Sequence, residues 1–130
     1  MNKILAKQKL LQFAIAKNHG HTVLTTDAPA TKLEVAKFIQ QQLSHLQFEV
    51  VELLEEIGDG NMAIVKPWSR AYSTFDEEEF ESNDSIKSEA MDIFCFCMNI
   101  LLAAGITPDN IEEEFSNVWD KNMTRQKEGY

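Results

Sequence analysis

The sequence predicts an all-α fold, a four-helix bundle with a long connection between helices two and three, and three observations lead there. Five Gly and three Pro in 130 residues leave little turn chemistry for a many-stranded β protein. Apolar residues recur at helical spacing in four stretches. Those stretches are bounded by recognisable start and stop residues. At 14.8 kDa and 44% hydrophobic residues the chain has the size and composition of one domain with one core, taken as residues 1–130.

The first helix runs from Asn2 to about Lys17, with Ile4, Leu5, Leu10, Leu11, Phe13, Ala14 and Ile15 near helical spacing, and Gly20 ends it. A loop follows to Pro29. Thr31-Lys32-Leu33-Glu34 is a capping-box pattern, in which hydroxyl and carboxylate satisfy each other's free backbone amides, so the second helix starts there. Its apolar positions continue through Phe38, Leu46, Val50 and Leu54 to Ile57, and Gly58-Asp59-Gly60 stops it. Residues 58–83, irregular and acidic, read as an exposed connection with one short helix. The third helix begins near Asp84 or Ser85 and closes at Gly105, and its stretch Ala90–Ala104 is expected to be buried. Thr107 and Pro108 start the fourth helix as cap and first residue, Glu112–Glu114 suit its positive end, and it ends near Arg125.

Charge excludes one class of partner. A net charge of −9 repels a phosphate backbone, so nucleic-acid binding is not expected. The longest apolar stretch carries Asp92 and is too short to span a bilayer, and Met1–Lys17 lacks the features of a signal peptide, so a cytoplasmic protein without a membrane segment is expected. Cys95 and Cys97 point apart on a helix and read as core residues in a reducing compartment. His19, His21 and His45 have no ligand or nucleophile spacing around them and read as surface residues.

The chemistry lies in the acids of helices two and three. Glu49, Glu52 and Glu56 fall within roughly 60° of one another at about 100° per residue, so three carboxylates share one stripe, with Glu55 further round and solvated. Glu89 and Asp92 again share a face, at the head of an apolar run that leaves Asp92 little chance of free exposure. A carboxylate in a packed interface needs a partner. Hard oxygen ligands from two helices suit Mg²⁺, which keeps waters and shares phosphate oxygens with a substrate. The bland alternative is a solvated acidic face with Asp92 paired to Lys or Arg. Glu81-Ser-Asn-Asp84, a second acidic pair, reads as loop or cap.

At this point the chain resembles the all-α nucleoside triphosphate pyrophosphohydrolases, which comprise MazG-like proteins, dimeric dUTPases and phosphoribosyl-ATP pyrophosphohydrolases. Glu49-Val-Val-Glu52-Leu-Leu-Glu55-Glu56 looks like the family's first acidic helix and Glu89-Ala-Met-Asp92-Ile-Phe like its second. The tail Asn122-Met-Thr-Arg125-Gln126-Lys-Glu-Gly129-Tyr130 is similar to the end of dimeric dUTPases, and its Asn122-Met-Thr part to the corresponding MazG-like helix. Two departures stand out: the stretch between Glu52 and Glu89 is longer than in compact members, and Val118 occupies the position of a dUTPase lysine.

The resemblance implies hydrolysis of the α–β phosphoanhydride of a nucleoside triphosphate to monophosphate and pyrophosphate. It implies Mg²⁺ on Glu49, Glu52, Glu89 and Asp92, with Glu52 or Glu56 as the catalytic carboxylate acting on water. Lys121 and Arg125 would meet the outer phosphates and Asn122 the sugar or base. Trp68 lies outside the matched stretches, and its ring reads either as a stacking face for the nucleotide or as a lid over the core. Gln8 or Gln12 would read a base edge if they are not simply solvated. MazG-like activity is the leading expectation, a dimeric-type dUTPase the first alternative, and a non-enzymatic helical interaction module the second. Because Ala90–Ala104 is apolar nearly all round, a homodimer or dimer of dimers is expected, with Phe96, Ile100 or Leu101 at the interface.

Overall fold

The computed structural model describes residues 1–20, 23–24 and 29–129. Among them there are four α-helices, α1 (Asn2–His19), α2 (Lys32–Ile57), α3 (Asp84–Ala103) and α4 (Ile111–Lys127), and two 3₁₀ helices, η1 (Met62–Val65) and η2 (Arg70–Glu77), with no strand. The all-α reading therefore holds. No described helix is long and apolar enough to cross a membrane. His21 and Tyr130 lie outside the described residues.

The helix ends show local chemistry at work. Thr31 Oγ1 accepts from the Glu34 N–H at 3.2 Å, which satisfies one of the amides that a helix start leaves free. At the other end of α2 the Gly60 N–H donates to the Glu55 carbonyl and the Asp59 N–H to the Glu56 carbonyl, a Schellman closure. Its first left-handed residue is Asp59, at φ 51°, and Gly60 follows it at φ 82°. Gly58 is needed for a different reason: a Cβ there would lie 2.9 Å from the Asn61 carbonyl oxygen and 3.0 Å from Ile64, where η1 returns. Asn83 caps α3 through its side chain, accepting from the Ile86 N–H at 2.9 Å, so the second acidic pair indeed falls at a helix start. Gly105, at φ 98°, closes α3 in the same Schellman pattern as α2.

The fourth helix starts three residues later than its cap suggested. Thr107 Oγ1 accepts from the Asn110 N–H and Asn110 Oδ1 accepts from the Thr107 N–H, a reciprocal box around a turn that precedes the regular helix at Ile111. The connection holds two 3₁₀ helices where one short helix was expected, and they pack on each other.

The contacts divide the chain into two units, one of residues 1–39 and 98–130 and one of residues 40–97. In the first, Leu5, Ala16, Phe38, Met98 and Ile111 are buried. Gln8 and Gln12 are buried there too, at 6% and 5% exposure, which corrects the expectation of solvated helix glutamines. Gln8 Nε2 donates to Asn99 Oδ1 at 2.9 Å, and this hydrogen bond is what makes the burial tolerable. In the second unit the His45 ring stacks on Phe96 at 5.3 Å between centroids.

The apolar run of α3 is less enclosed than its composition suggested. Met98 is buried, but residues 93–97 and 100–103 are half-buried and Met91 is exposed. Cys95 and Cys97 are free thiols on this half-buried stretch. The most exposed large apolar side chains lie elsewhere, with Trp68 at 81%, Phe48 at 70% and Phe115 at 69%.

Candidate active site

The site belongs to the second unit, where the latter part of α2 and the first part of α3 each carry acidic residues. Helical spacing puts Glu49 and Glu52 on one stripe of α2, and Glu89 comes from α3. One carboxylate oxygen from each of the three lies within 4.8 Å of the others. Nothing in the backbone forces this meeting, and like charges so close oppose it.

Burial and electrostatics sharpen the picture. Glu49 and Glu89 are half-buried and Glu52 is exposed. The Oε2 atoms of Glu49 and Glu89 are buried without a hydrogen-bond partner. Both carboxyl groups are held above the ordinary value of 4.5, first by loss of water, then by the charges of Glu52 and Asp92. Each also lies within hydrogen-bonding reach of Glu52, a contact that two carboxyl groups make only with a proton between them. Burial and the charges of Asp92 and Glu49 push the Cys95 thiol up as well, which keeps it protonated and unreactive.

Asp92 requires a correction: it is exposed. The run that follows it is half-buried, so the helix is open to solvent at this point and does not force its carboxylate inside. Its charge nevertheless raises Glu49, Glu89 and Cys95, which places it beside the cluster. Glu55 is half-buried instead of solvated.

Glu56 takes a separate position. Its charge reaches Glu89, and it lines a cleft of about 460 Å³ together with Ile64, Phe75, Phe80 and Ile86. Glu78, Glu79 and Glu81 complete an acidic rim. The connection that looked irregular in sequence thus supplies most of a concave wall, and no periodic signal marks it because 3₁₀ segments and loops carry none. Trp68, also in the connection, is 81% exposed, which removes the idea that it covers the core. Lys121, Asn122 and Arg125 are exposed on α4, in the first unit.

A divalent cation fits the donor set. Three hard carboxylate oxygens converge and two buried oxygens lack any donor, the pattern that a bound Mg²⁺ resolves.

The chain is similar to a dCTP pyrophosphatase of Enterobacteria phage LZ5, 28% identical over 98% of this chain and 80% of that protein. It is similar to the dCTP pyrophosphatase of Enterobacteria phage T4, 27% identical over the same shares. No protein-family model matches, and no solved structure matches.

Proposed function

We propose that this protein is a Mg²⁺-dependent nucleotide pyrophosphohydrolase that cleaves the α–β phosphoanhydride of a deoxynucleoside triphosphate, dCTP foremost, to monophosphate and pyrophosphate. The observation that carries this reading is the convergence of Glu49, Glu52 and Glu89 with two orphaned buried oxygens. An interaction module has no use for carboxylates gathered at a cost to its own stability. The near full-length similarity to proteins named dCTP pyrophosphatase supports both the reaction and the base.

Glu49, Glu52 and Glu89 would hold the cation, with Asp92 beside them as the fourth candidate ligand. Bound Mg²⁺ offsets the negative charge of the triphosphate and polarises its phosphorus–oxygen bonds. Glu52 or Glu56 orients the attacking water and takes its proton, so the oxygen adds to the α-phosphorus as pyrophosphate leaves. Lys121 and Arg125 for the outer phosphates and Asn122 for sugar or base are carried by the sequence resemblance, and Trp68, exposed in the connection, would stack on the nucleotide.

The cleft lined by Glu56 suits a nucleoside. Phe75 and Phe80 offer stacking faces, and Glu78 and Glu79 offer acceptors. Cytosine presents an amino donor at the edge where uracil and thymine present an acceptor, so an acidic rim favours cytosine. The MazG-like and dUTPase readings then differ from this one mainly in the base. The assembly proposed is a homodimer or dimer of dimers.

A panel of dCTP, dUTP, dTTP, dATP and dGTP with Mg²⁺, with the released products identified, tests the reading. The expected result is preferential turnover of dCTP to dCMP and pyrophosphate. Turnover of dUTP a hundredfold above dCTP would replace it with the dUTPase alternative, and no turnover of any triphosphate would leave the interaction module.

A further inference from the structure

Three juxtapositions set the order of layers along the seam between α2 and α3 in the second unit. The His45 ring stacks on Phe96 at 5.3 Å between centroids, with 20° between the ring planes. Glu49 and Glu52 meet Glu89. Glu56 and Ile86 share the wall of one cleft. Positions rise along α2 as they fall along α3, so the two helices run antiparallel here, and the acids lie between the stacked pair at one end and the cleft at the other. At 1.5 Å per residue, His45 lies about 6 Å along the axis from Glu49, and Glu56 about 6 Å from Glu52 in the opposite direction. At about 100° per residue, His45, Glu49, Glu52 and Glu56 fall within roughly 60° of one another, so the imidazole shares the stripe of the acids.

His45 is exposed and Phe96 is half-buried. Stacking occupies one face of the imidazole, whereas both nitrogens lie on the ring edge, and a neutral ring offers one N–H donor and one acceptor there. The ring is thus held by α3 while its polar edge stays in solvent. Gln42, the next position back on the stripe, is buried, which leaves His45 as the exposed N–H donor among these positions.

The geometry points to His45 as a binding residue for the outer phosphates, donating a ring N–H to the pyrophosphate portion of the triphosphate. This assignment rests on the function proposed above, with the nucleoside in the cleft beside Glu56 and the α-phosphate at the acid cluster. A substrate that starts in the cleft and crosses the acids continues toward His45. As the water oxygen bonds to the α-phosphorus, the bridging P–O bond breaks with its electron pair on the pyrophosphate, and the water's proton passes to Glu52 or Glu56. A fixed N–H at the far end of the seam meets the charge that develops on the departing group. His45 keeps its proton throughout, so its part is to bind and orient.

Titration calorimetry on the full chain with Mg²⁺, using inorganic pyrophosphate and dCMP as separate probes, tests the assignment without turnover. His45→Phe keeps a ring against Phe96 and removes the N–H, so pyrophosphate should bind about tenfold more weakly or worse, with dCMP unchanged. Phe80→Leu, at the cleft end, should weaken dCMP and leave pyrophosphate unchanged. A stack that merely joins the helices would move both ligands together or neither. Unchanged pyrophosphate affinity in His45→Phe, an equal loss of both ligands, a Phe80→Leu variant that loses pyrophosphate and keeps dCMP, or a parent that binds no pyrophosphate would overturn the proposal. A parent that binds pyrophosphate through His45 yet hydrolyses no triphosphate would uphold it and remove the reaction instead, so the two failures are distinct.

Discussion

Polar groups are buried in both units, and they are treated in opposite ways. In the first, Gln8 and Asn99 leave water together and meet in a 2.9 Å hydrogen bond, so each loses solvent and gains a partner. In the second, Glu49 and Glu89 bring oxygens out of water with no donor waiting and with other carboxylates alongside. Neutral amides that satisfy each other stabilise a core and ask for nothing further. Acids that crowd one another destabilise the chain that carries them until a cation or a proton arrives. The contrast separates a structural polar pair from a site.

The largest effect expected from breaking this contrast is on turnover. Glu52→Gln and Asp92→Asn each remove a negative oxygen while nearly preserving shape, and hydrolysis should fall on the order of 10² or more in each. Added Mg²⁺ should raise the melting temperature of the parent and do so much less in either variant. A double variant that stays active and Mg²⁺-responsive would remove the site assignment. Smaller, and on stability alone, is the change expected at the satisfied pair. Gln8→Leu removes the amide that donates to the buried Asn99 carbonyl oxygen and should cost about 1–3 kcal/mol in urea unfolding, with no change in the Mg²⁺ response. An equal loss of Mg²⁺ response would show that the two kinds of buried polar group are not distinct.

The smallest effect is on pH dependence. Folding raises the Glu49 and Glu89 values above 4.5, so the folded chain holds those protons more tightly than the unfolded chain does. Below 4.5 both states are protonated at these groups and neither suffers. As pH climbs from 4.5 through the raised folded values the unfolded chain ionises first, and the metal-free protein loses stability. The melting temperature of the parent minus that of a Glu49→Gln, Glu89→Gln double variant should therefore fall across this window in chelator. With Mg²⁺ the sign should reverse, because the cation binds the ionised carboxylates. A difference that rises with pH in chelator would contradict the crowding.

The element boundaries of α2 and α3 were legible in the chain because they are local chemistry: Thr31 and Glu34 at a start, Gly58 to Gly60 and Gly105 at stops. The acid stripe was legible for the same reason, since helical spacing alone brings Glu49 and Glu52 together. Exposure was not. Asp92 looked buried and lies open, Gln8 and Gln12 looked as free as any helix glutamine and lie buried, and Trp68 looked able to cover a core and stands in water. Spacing gives the direction in which a side chain leaves its own helix, and it says nothing of what stands opposite. That Glu89 reaches the α2 stripe, that Gln8 finds Asn99, and that residues 58–83 wall a cleft are matters of packing between segments far apart in sequence. The tertiary structure decided them because solvation and charge depend on every neighbour in space, whereas the helix depends on residues three and four places away.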